Sequence, residues 1–214
     1  MPTAWEEQPA DAPRIAVNAQ NVLSSIAAAA YPRSSPTVAM AQQWHRVLYA
    51  GIAAPHPYYA GEVRNSDPRF PELIGYEVRV GPSMGTPSAH VPAALVNFQV
   101  SAQTAAGTLD AAISARADPS TMRPQELHGV LTYCARLYGV WVRIHPFANG
   151  SGRTARLWAN WAALRYGLPP FVRIKPRPAG DACAAAAYAS MRGDYAVTVA
   201  VFGQMLREYL ADLP

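Results

Sequence analysis

Apolar side chains recur at helical spacing along most of the chain. The strongest stretch places its apolar residues three or four positions apart, at Leu127, Val130, Leu131, Cys134, Leu137, Tyr138, Trp141 and Ile144. Pro124 and Glu126 stand at its start, where proline and an acidic residue favour the first turn of a helix. Pro146 pushes His145 away from the α region. The sequence therefore predicts a long buried helix over residues 124–144.

Shorter stretches of the same kind predict the remaining helices. They lie at residues 15–26, around 44–48, from about 93 onward, after Gly152, and at about 180–192 and 195–211. Residues 1–13 differ, because three prolines stand among polar residues there without any periodicity. Such a segment is typical of a loose terminus. We therefore expect a flexible tail at 1–13 and a single, mainly α domain over 14–214.

Alternation with period two replaces the helical pattern between about residues 61 and 81. Gly61-Glu62-Val63-Arg64 and residues 76–80 each alternate in side-chain type, and turn-forming residues lie between them at Asp67-Pro68 and Pro71. Alternation around such a turn is typical of paired strands. The sequence predicts a small β-hairpin here.

Composition and charge narrow the possible functions. Half of the 214 residues are hydrophobic and 15% are charged, which is typical of a globular protein. No apolar run approaches 18 residues and the first residues are acidic, so we expect no membrane partner and cytoplasmic residence. The net charge of +4 is spread without a long basic run, so we expect no nucleic acid partner. The two cysteines form no Cys/His cluster, which argues against a structural zinc site.

Candidate chemistry is concentrated between the helix at 124–144 and the helix that follows it. Gly150 and Gly152 allow a tight turn that brings backbone N–H groups close to a ligand, and a helix begins directly afterwards. That arrangement favours an anion. Arg153 and Arg156 are three positions apart and are expected to leave nearly the same helix face, where guanidinium groups bind phosphates. His145 is a residue that accepts a proton near neutral pH.

The run 145–156 resembles the motif of the Fic (Fido) family, His-Pro-Phe-x-Asp/Glu-Gly-Asn-Gly-Arg-x-x-Arg. It matches at His145, Pro146, Phe147, Gly150, Gly152, Arg153 and Arg156. Residues 61–64, 76–81 and 90–92 are similar to the flap hairpin of that family and the segment after it. The resemblance covers roughly residues 40–210.

This resemblance implies a helical bundle with a small β-hairpin flap. It also implies that the protein binds ATP with Mg²⁺ and transfers AMP to a hydroxyl group of a target protein, which is the expected partner. His145 would take the proton of that hydroxyl group. The implied nucleotide-binding residues are Phe147, Gly150, Ser151, Gly152, Arg153 and Arg156. The implied target-docking residues of the flap are Gly61, Glu62, Val63 and Arg64.

Two positions depart from the family motif. Asn149 stands where the family has an acidic metal ligand, and it would bind magnesium weakly because an amide supplies no negative charge. Ser151 stands where the family has asparagine. These departures leave two alternatives open: a degenerate fold that binds nucleotide or a partner without efficient transfer, and an enzyme that transfers phosphate, UMP or phosphocholine instead.

Regulation is the last expectation that the resemblance raises. Family members carry an inhibitory Ser/Thr-x-x-x-Glu-Gly/Asn signature, and the nearest copy here, Thr3 to Glu7 followed by Gln8, ends in the wrong residue and lies in the expected tail. We therefore expect that this segment does not inhibit the protein. Either a separate antitoxin-like partner would restrain it, or the two departures would make restraint unnecessary.

Overall fold

The computed structural model describes residues 4–80, 82–114, 121–174 and 181–212. These residues form seven α-helices, namely α1 (Ala12–Ala30), α2 (Val38–Leu48), α3 (Val91–Ala112), α4 (Pro124–Ile144), α5 (Ser151–Arg165), α6 (Asp181–Met191) and α7 (Ala196–Ala211). Two short strands, β1 (Arg79–Val80) and β2 (Ser83–Met84), lie between α2 and α3. The predicted mainly helical fold with a small hairpin is confirmed. Within the described ranges, no helix is long and apolar enough to cross a membrane.

Helix α4 lies at the centre of the bundle and packs against α3, α5, α6 and α7. Pro124 occupies its first turn, and the carboxylate of Glu126 accepts the backbone N–H of Arg123 at 2.8 Å. At the other end the N–H of His145 donates to the carbonyl of Trp141 at 2.9 Å, and the chain then leaves the helix. The predicted helix at 124–144 is therefore confirmed at both ends.

Buried tryptophans set the spacing between α4 and α5. Trp141, Trp158 and Trp161 are fully buried, as expected for core residues. The indole N–H of Trp141 donates to the hydroxyl of Thr154 at 2.8 Å, which joins the two helices directly. Because the motif residues lie at the end of α4 and the start of α5, this contact also fixes the distance between the two halves of the motif.

The hairpin lies later in the chain than predicted. Strands β1 and β2 pair antiparallel, with Arg79 opposite Met84. Residues 61–64 are a turn and irregular chain, so the predicted strand at this position is wrong. The alternation was misleading because Val63 and Arg64 are neighbours and yet both are buried. The end of the predicted segment, Gly81, lies outside the described residues.

The tail expected at 1–13 is packed against the domain over the part that the structure describes. The side chain of Trp5 is 5% exposed, residues Pro9–Asp11 form a 3-10 helix, and α1 already begins at Ala12. The expectation of a loose tail is therefore wrong from residue 5 onward. Single anchoring side chains hold this segment, and such anchors leave no periodic pattern in the sequence.

Candidate active site

The loop between α4 and α5 contains a glycine that is required by its surroundings. Gly150 caps α5 with φ of 78°, a left-handed conformation that favours glycine. A Cβ atom at this position would lie 2.6 Å from the ring of Tyr49 and 2.9 Å from Nε2 of His45. Gly150 therefore allows α2 to pack directly on the loop.

Gly152 lies beside open space. A Cβ atom at Gly152 would have no heavy atom within 4 Å. The first N–H groups of a helix have no partner inside it, and the helix dipole favours negative charge at this end. The start of α5 therefore offers room and hydrogen-bond donors to an anion such as a phosphate group.

His145 is held as a neutral base. Its φ of 51° places it in the left-handed region, and its Nδ1 lies 3.1 Å from the carbonyl oxygen of Val142. A carbonyl only accepts, so Nδ1 carries the proton and Nε2 is left unprotonated. Burial lowers the pKa of His145 to about 4, and the nearby charge of Arg64 acts in the same direction. Nε2 is therefore available to take a proton at physiological pH.

The side chains of Ser151 and Phe147 are turned into the protein. The hydroxyl of Ser151 is fully buried and accepts the backbone N–H of Phe147 at 3.0 Å, which closes the loop on itself. The ring of Phe147 is also buried and stacks on His45 at a centroid distance of 3.9 Å. Both residues are 0% exposed, so they shape the loop and do not present their side chains to a ligand.

Arg153 is paired with Glu7, which lies in the segment that was expected to be a loose tail. Its guanidinium group donates to both carboxylate oxygens of Glu7, one of them at 2.5 Å. The hydroxyl of Tyr49 donates to the same carboxylate at 2.6 Å. The side chains of Arg153 and Glu7 are only 14% and 16% exposed, so this is not a surface ion pair. The N-terminal segment thus supplies an anion to the arginine expected to bind phosphate.

Arg156 leaves α5 toward other neighbours. Its side chain is half-buried and lines a small cavity together with Tyr138, Val172 and Phe202. Arg153, by contrast, faces Tyr49, which directly follows α2. The two arginines expected on nearly the same helix face therefore contact different parts of the bundle.

His45 is a loop-supporting residue that the sequence did not single out. Its Nδ1 accepts the backbone N–H of Gly61 at 2.9 Å, so its Nε2 carries the proton and donates to the carbonyl of Asn149 at 2.9 Å. Burial lowers its pKa to about 3. Both ring nitrogens are thus engaged, and His45 joins α2, the turn at Gly61 and the motif loop. Only its buried position in the helical pattern of α2 gave a signal.

The residues around Asn149 do not fit a magnesium ion. The amide oxygen of Asn149 accepts the N–H of Gly150 at 2.6 Å, and its amide nitrogen donates to the carbonyl of Trp5 at 3.0 Å. Magnesium in phosphate sites is usually bound through one or two carboxylates. In the described part of the chain, no group of three His, Cys, Asp or Glu side chains could hold a metal ion. We therefore assign no chemical step to magnesium.

Three of the four residues expected to dock the target, namely Gly61, Val63 and Arg64, are buried, and Glu62 is partly buried. The N–H of Gly61 is bonded to His45, and the carboxylate of Glu62 pairs with Arg46 of α2 at 2.7 Å. Val63 is 5% exposed and Arg64 is fully buried. These residues support α2 and the motif loop rather than presenting a strand edge.

Comparison with known proteins identifies the family and the fold. A family model described as the Fic/DOC family matches residues 35–163, which include α2 to α4 and most of α5. A Fic domain containing signaling protein from Bacteroides thetaiotaomicron aligns with a TM-score of 0.59 at 18% identity, covering 92% of this chain and 69% of that one. BepC, a VirB-translocated effector protein of Bartonella tribocorum solved with AMPPNP, aligns with a TM-score of 0.57 at 12% identity, covering 90% of this chain and 86% of that one. These two likenesses show the fold.

One curated protein has a short and closer match. A uridine 5'-monophosphate transferase of Xanthomonas campestris pv. campestris is 48% identical over 42 residues. The match covers 20% of this chain and 8% of that protein. The likeness is thus confined to a small part of a much longer relative.

Proposed function

Since the chain belongs to the Fic/DOC family, we propose that it transfers the AMP group of ATP to a hydroxyl side chain of a target protein. The family and the transferase-named relative support transfer of a nucleotide or another phosphate-containing group in general. The observation that carries the proposal is the neutral His145, with its unprotonated Nε2, at one end of a loop whose other end opens α5 toward empty space at Gly152.

The proposed reaction is a single displacement at the α-phosphorus of ATP. The oxygen of the target hydroxyl group forms a bond to that phosphorus while its proton passes to Nε2 of His145. The bond from the α-phosphorus to the bridging oxygen breaks, and pyrophosphate leaves with the electron pair. Backbone N–H groups at the start of α5 and the guanidinium of Arg153 stabilise the phosphate charge, which is the main contribution a protein makes to such transfers.

The described arrangement needs one change before ATP can bind in this way. Glu7 occupies the guanidinium of Arg153, so the phosphates have to displace its carboxylate. Both are anions that accept paired N–H groups from arginine, so they compete for the same donors. We therefore propose that nucleotide binding and the contact of Glu7 with Arg153 exclude each other.

UMP transfer is the second candidate. It is favoured by the curated relative, whose name states this activity. His145, Arg153 and the N–H groups at the start of α5 would act on the phosphates and on the hydroxyl proton, which are common to reactions with ATP and UTP. The same residues would therefore carry out either reaction, and only the base would differ.

The test is a labelling experiment with the full chain and a cell lysate. ATP labelled at the α-phosphate, ATP labelled at the γ-phosphate and UTP labelled at the α-phosphate are compared, with His145→Ala as the control for uncatalysed labelling. We expect protein-bound label from α-labelled ATP alone. Label from UTP would favour the second candidate, and label from γ-labelled ATP would indicate phosphate transfer. Nucleotide binding without any label would contradict transfer and support the degenerate fold.

A further inference from the structure

Arg64 makes an unusual set of hydrogen bonds for a side chain that is fully buried. Its guanidinium donates to four backbone carbonyls: Nε to His145 at 2.8 Å, Nη2 to Ile144 at 3.0 Å and to Thr86 at 3.0 Å, and Nη1 to Tyr76 at 2.6 Å. Its own backbone N–H donates to the carbonyl of Pro146 at 2.8 Å. The residue thus contacts three consecutive carbonyls at the end of α4.

These carbonyls need an outside partner. The last carbonyls of a helix have no N–H partner in the following turn, and the partial negative charge of the helix end favours a cation. Pro146 makes the need greater, because proline has no N–H to contribute and cannot continue the helix. Arg64 satisfies two of these groups at the point where His145 turns into its left-handed conformation.

The same guanidinium holds the hairpin region against His145. Tyr76 lies before β1 and Thr86 lies after β2, and both carbonyls accept from Arg64. Gly85 packs so closely that a Cβ atom there would lie 3.1 Å from Cβ of His145. The carboxylate of Glu77 lies 3.7 Å from Nη1. Burial lowers the pKa of Arg64 only to about 10, so it stays charged at physiological pH.

We propose that Arg64 is a positioning residue for the transfer reaction. It fixes the direction of the His145 imidazole because it holds the backbone carbonyls around the turn at His145 and also holds the hairpin region next to that residue. This inference rests on the proposed function of His145 as the base. It replaces the expected role of Arg64 in docking a target. Misplacing a reacting group by about 1 Å can cost about 100-fold in rate, so a loosened turn should be visible in kinetics.

A purely structural role is separated by a matched control. Arg165 at the end of α5 is also a buried arginine, bonded to the carbonyl of Ser34 at 2.7 Å and the carboxylate of Asp110 at 2.5 Å, and it makes none of the contacts around His145. Replacing either arginine should lower the melting temperature. Only replacement of Arg64 should lower the rate of AMP transfer.

The experiment compares the wild-type chain with Arg64→Lys, Arg64→Met and Arg165→Met. Melting temperature, ATP affinity and the single-turnover rate of AMP transfer are measured at a temperature where each variant is folded. We expect Arg64→Met to lower the rate about 10- to 100-fold at unchanged ATP affinity. Arg64→Lys should fall in between, because an ammonium keeps the charge but reaches fewer carbonyls. Arg165→Met should transfer at the wild-type rate.

A second readout does not depend on activity. The acid titration of the His145 imidazole is followed by NMR in Arg64→Lys, Arg64→Met and Arg165→Met, with His145→Ala to assign the signal. We expect its pKa to rise in Arg64→Met, because the charge of Arg64 helps to hold that pKa down. In Arg64→Lys we expect a changed ring environment, and in Arg165→Met an unchanged titration.

The outcomes are distinct. A wild-type transfer rate and an unchanged imidazole titration in folded Arg64 variants would overturn the inference. An equal loss of rate in Arg165→Met would overturn it as well, because general loosening would then explain both. If Arg64→Met does not fold, Arg64→Lys decides by the same criteria. If the wild-type chain transfers no AMP, the proposed function fails, while the ring environment of His145 in Arg64→Lys, which keeps the charge, still shows whether Arg64 positions His145.

Discussion

The two ends of the motif loop are each held by an arginine, but the partners differ in kind. At the His145 end, Arg64 is fully buried and donates to backbone carbonyls. At the α5 end, Arg153 donates to the carboxylate of Glu7. Phosphate resembles a carboxylate as a charged acceptor and can replace it on a guanidinium, whereas backbone carbonyls are neutral and fixed in place. The first arginine therefore belongs to the framework, whereas the second holds a charged acceptor that a phosphate group could replace.

The largest expected effect concerns the His145 end. His145→Ala should lower AMP transfer by about 10² to 10⁴-fold, because a general base contributes about this much. The fold should stay intact, since α4 is held by its packing on four other helices. The rate is measured by α-label incorporation, with His128→Ala, an exposed position of the same helix, as the control. Labelling by His145→Ala at the wild-type rate would remove this residue from the mechanism.

The second effect concerns the α5 end. Glu7→Gln should raise ATP affinity by roughly 10- to 100-fold, because a hydrogen bond to a charged partner contributes about 1.5–3 kcal/mol and ATP no longer has to displace it. The same change should lower the melting temperature, since the buried guanidinium loses its counter-charge. Calorimetric titration with ATP measures the affinity, and thermal unfolding measures the melting temperature. Glu6→Gln, which changes an exposed neighbour, serves as the control.

The two effects of Glu7→Gln have opposite signs, which makes the result easy to interpret. A less stable protein that binds ATP no better would show that Glu7 is only a structural partner of Arg153. A gain in automodification would show that the segment of Trp5 and Glu7 restrains the enzyme, against the expectation from the sequence signature.

The third effect concerns the pH dependence of stability, which depends on two buried histidines. His145 lies at the start of the motif loop and His45 contacts the loop from α2. Both are neutral when folded, with pKa values lowered by burial to about 3 for His45 and about 4 for His145, against an ordinary value of 6.5. Below pH 6.5 the unfolded chain therefore binds more protons than the folded chain, and stability falls as pH falls. The expected slope is about 1.4 kcal/mol per pH unit for each imidazole.

Urea unfolding at pH 7, 6 and 5 measures this slope. His45→Gln should remove its share of the pH dependence and keep some of its hydrogen bonding, whereas His128→Gln, at an exposed position, should change nothing. A free energy of unfolding that is flat between pH 7 and 5 would contradict the neutral, buried state of both rings.

The smallest effect concerns Asn149, which lies between the two ends of the loop. Asn149→Asp should lower the magnesium concentration needed for half-maximal ATP binding, because a carboxylate supplies the charge that magnesium favours. Asn149→Ala, which also loses the bond to the carbonyl of Trp5, controls for loosening of that segment. ATP titrations at several magnesium concentrations compare the two. An equal response of both variants would show that position 149 holds no metal.

The helices and the chemical character of the loop were predictable from local sequence. The periodic apolar residues of α4, with Pro124 before and Pro146 after, determine a helix and its ends through interactions within a few residues. Glycines beside arginines at a helix start likewise favour an anion site, because the N–H groups and the helix dipole there are local features. The alternation at residues 61–64 predicted a strand, and that prediction is wrong. Arg64 would be exposed to solvent in an isolated strand. It is buried here because carbonyl groups at the end of α4 accept hydrogen bonds from its guanidinium group.

The sequence by itself thus determined the helical bundle, and it indicated a base and an anion-binding loop as hypotheses, since each depends on residues that are neighbours in the chain. Only the tertiary structure decided which groups meet that loop from elsewhere. Glu7 reaches Arg153 across 146 positions, and Arg64 reaches Ile144 across 80. Such contacts depend on the packing of whole helices and leave no periodic trace, so the restraint on Arg153 and the support of His145 became visible only in the folded protein.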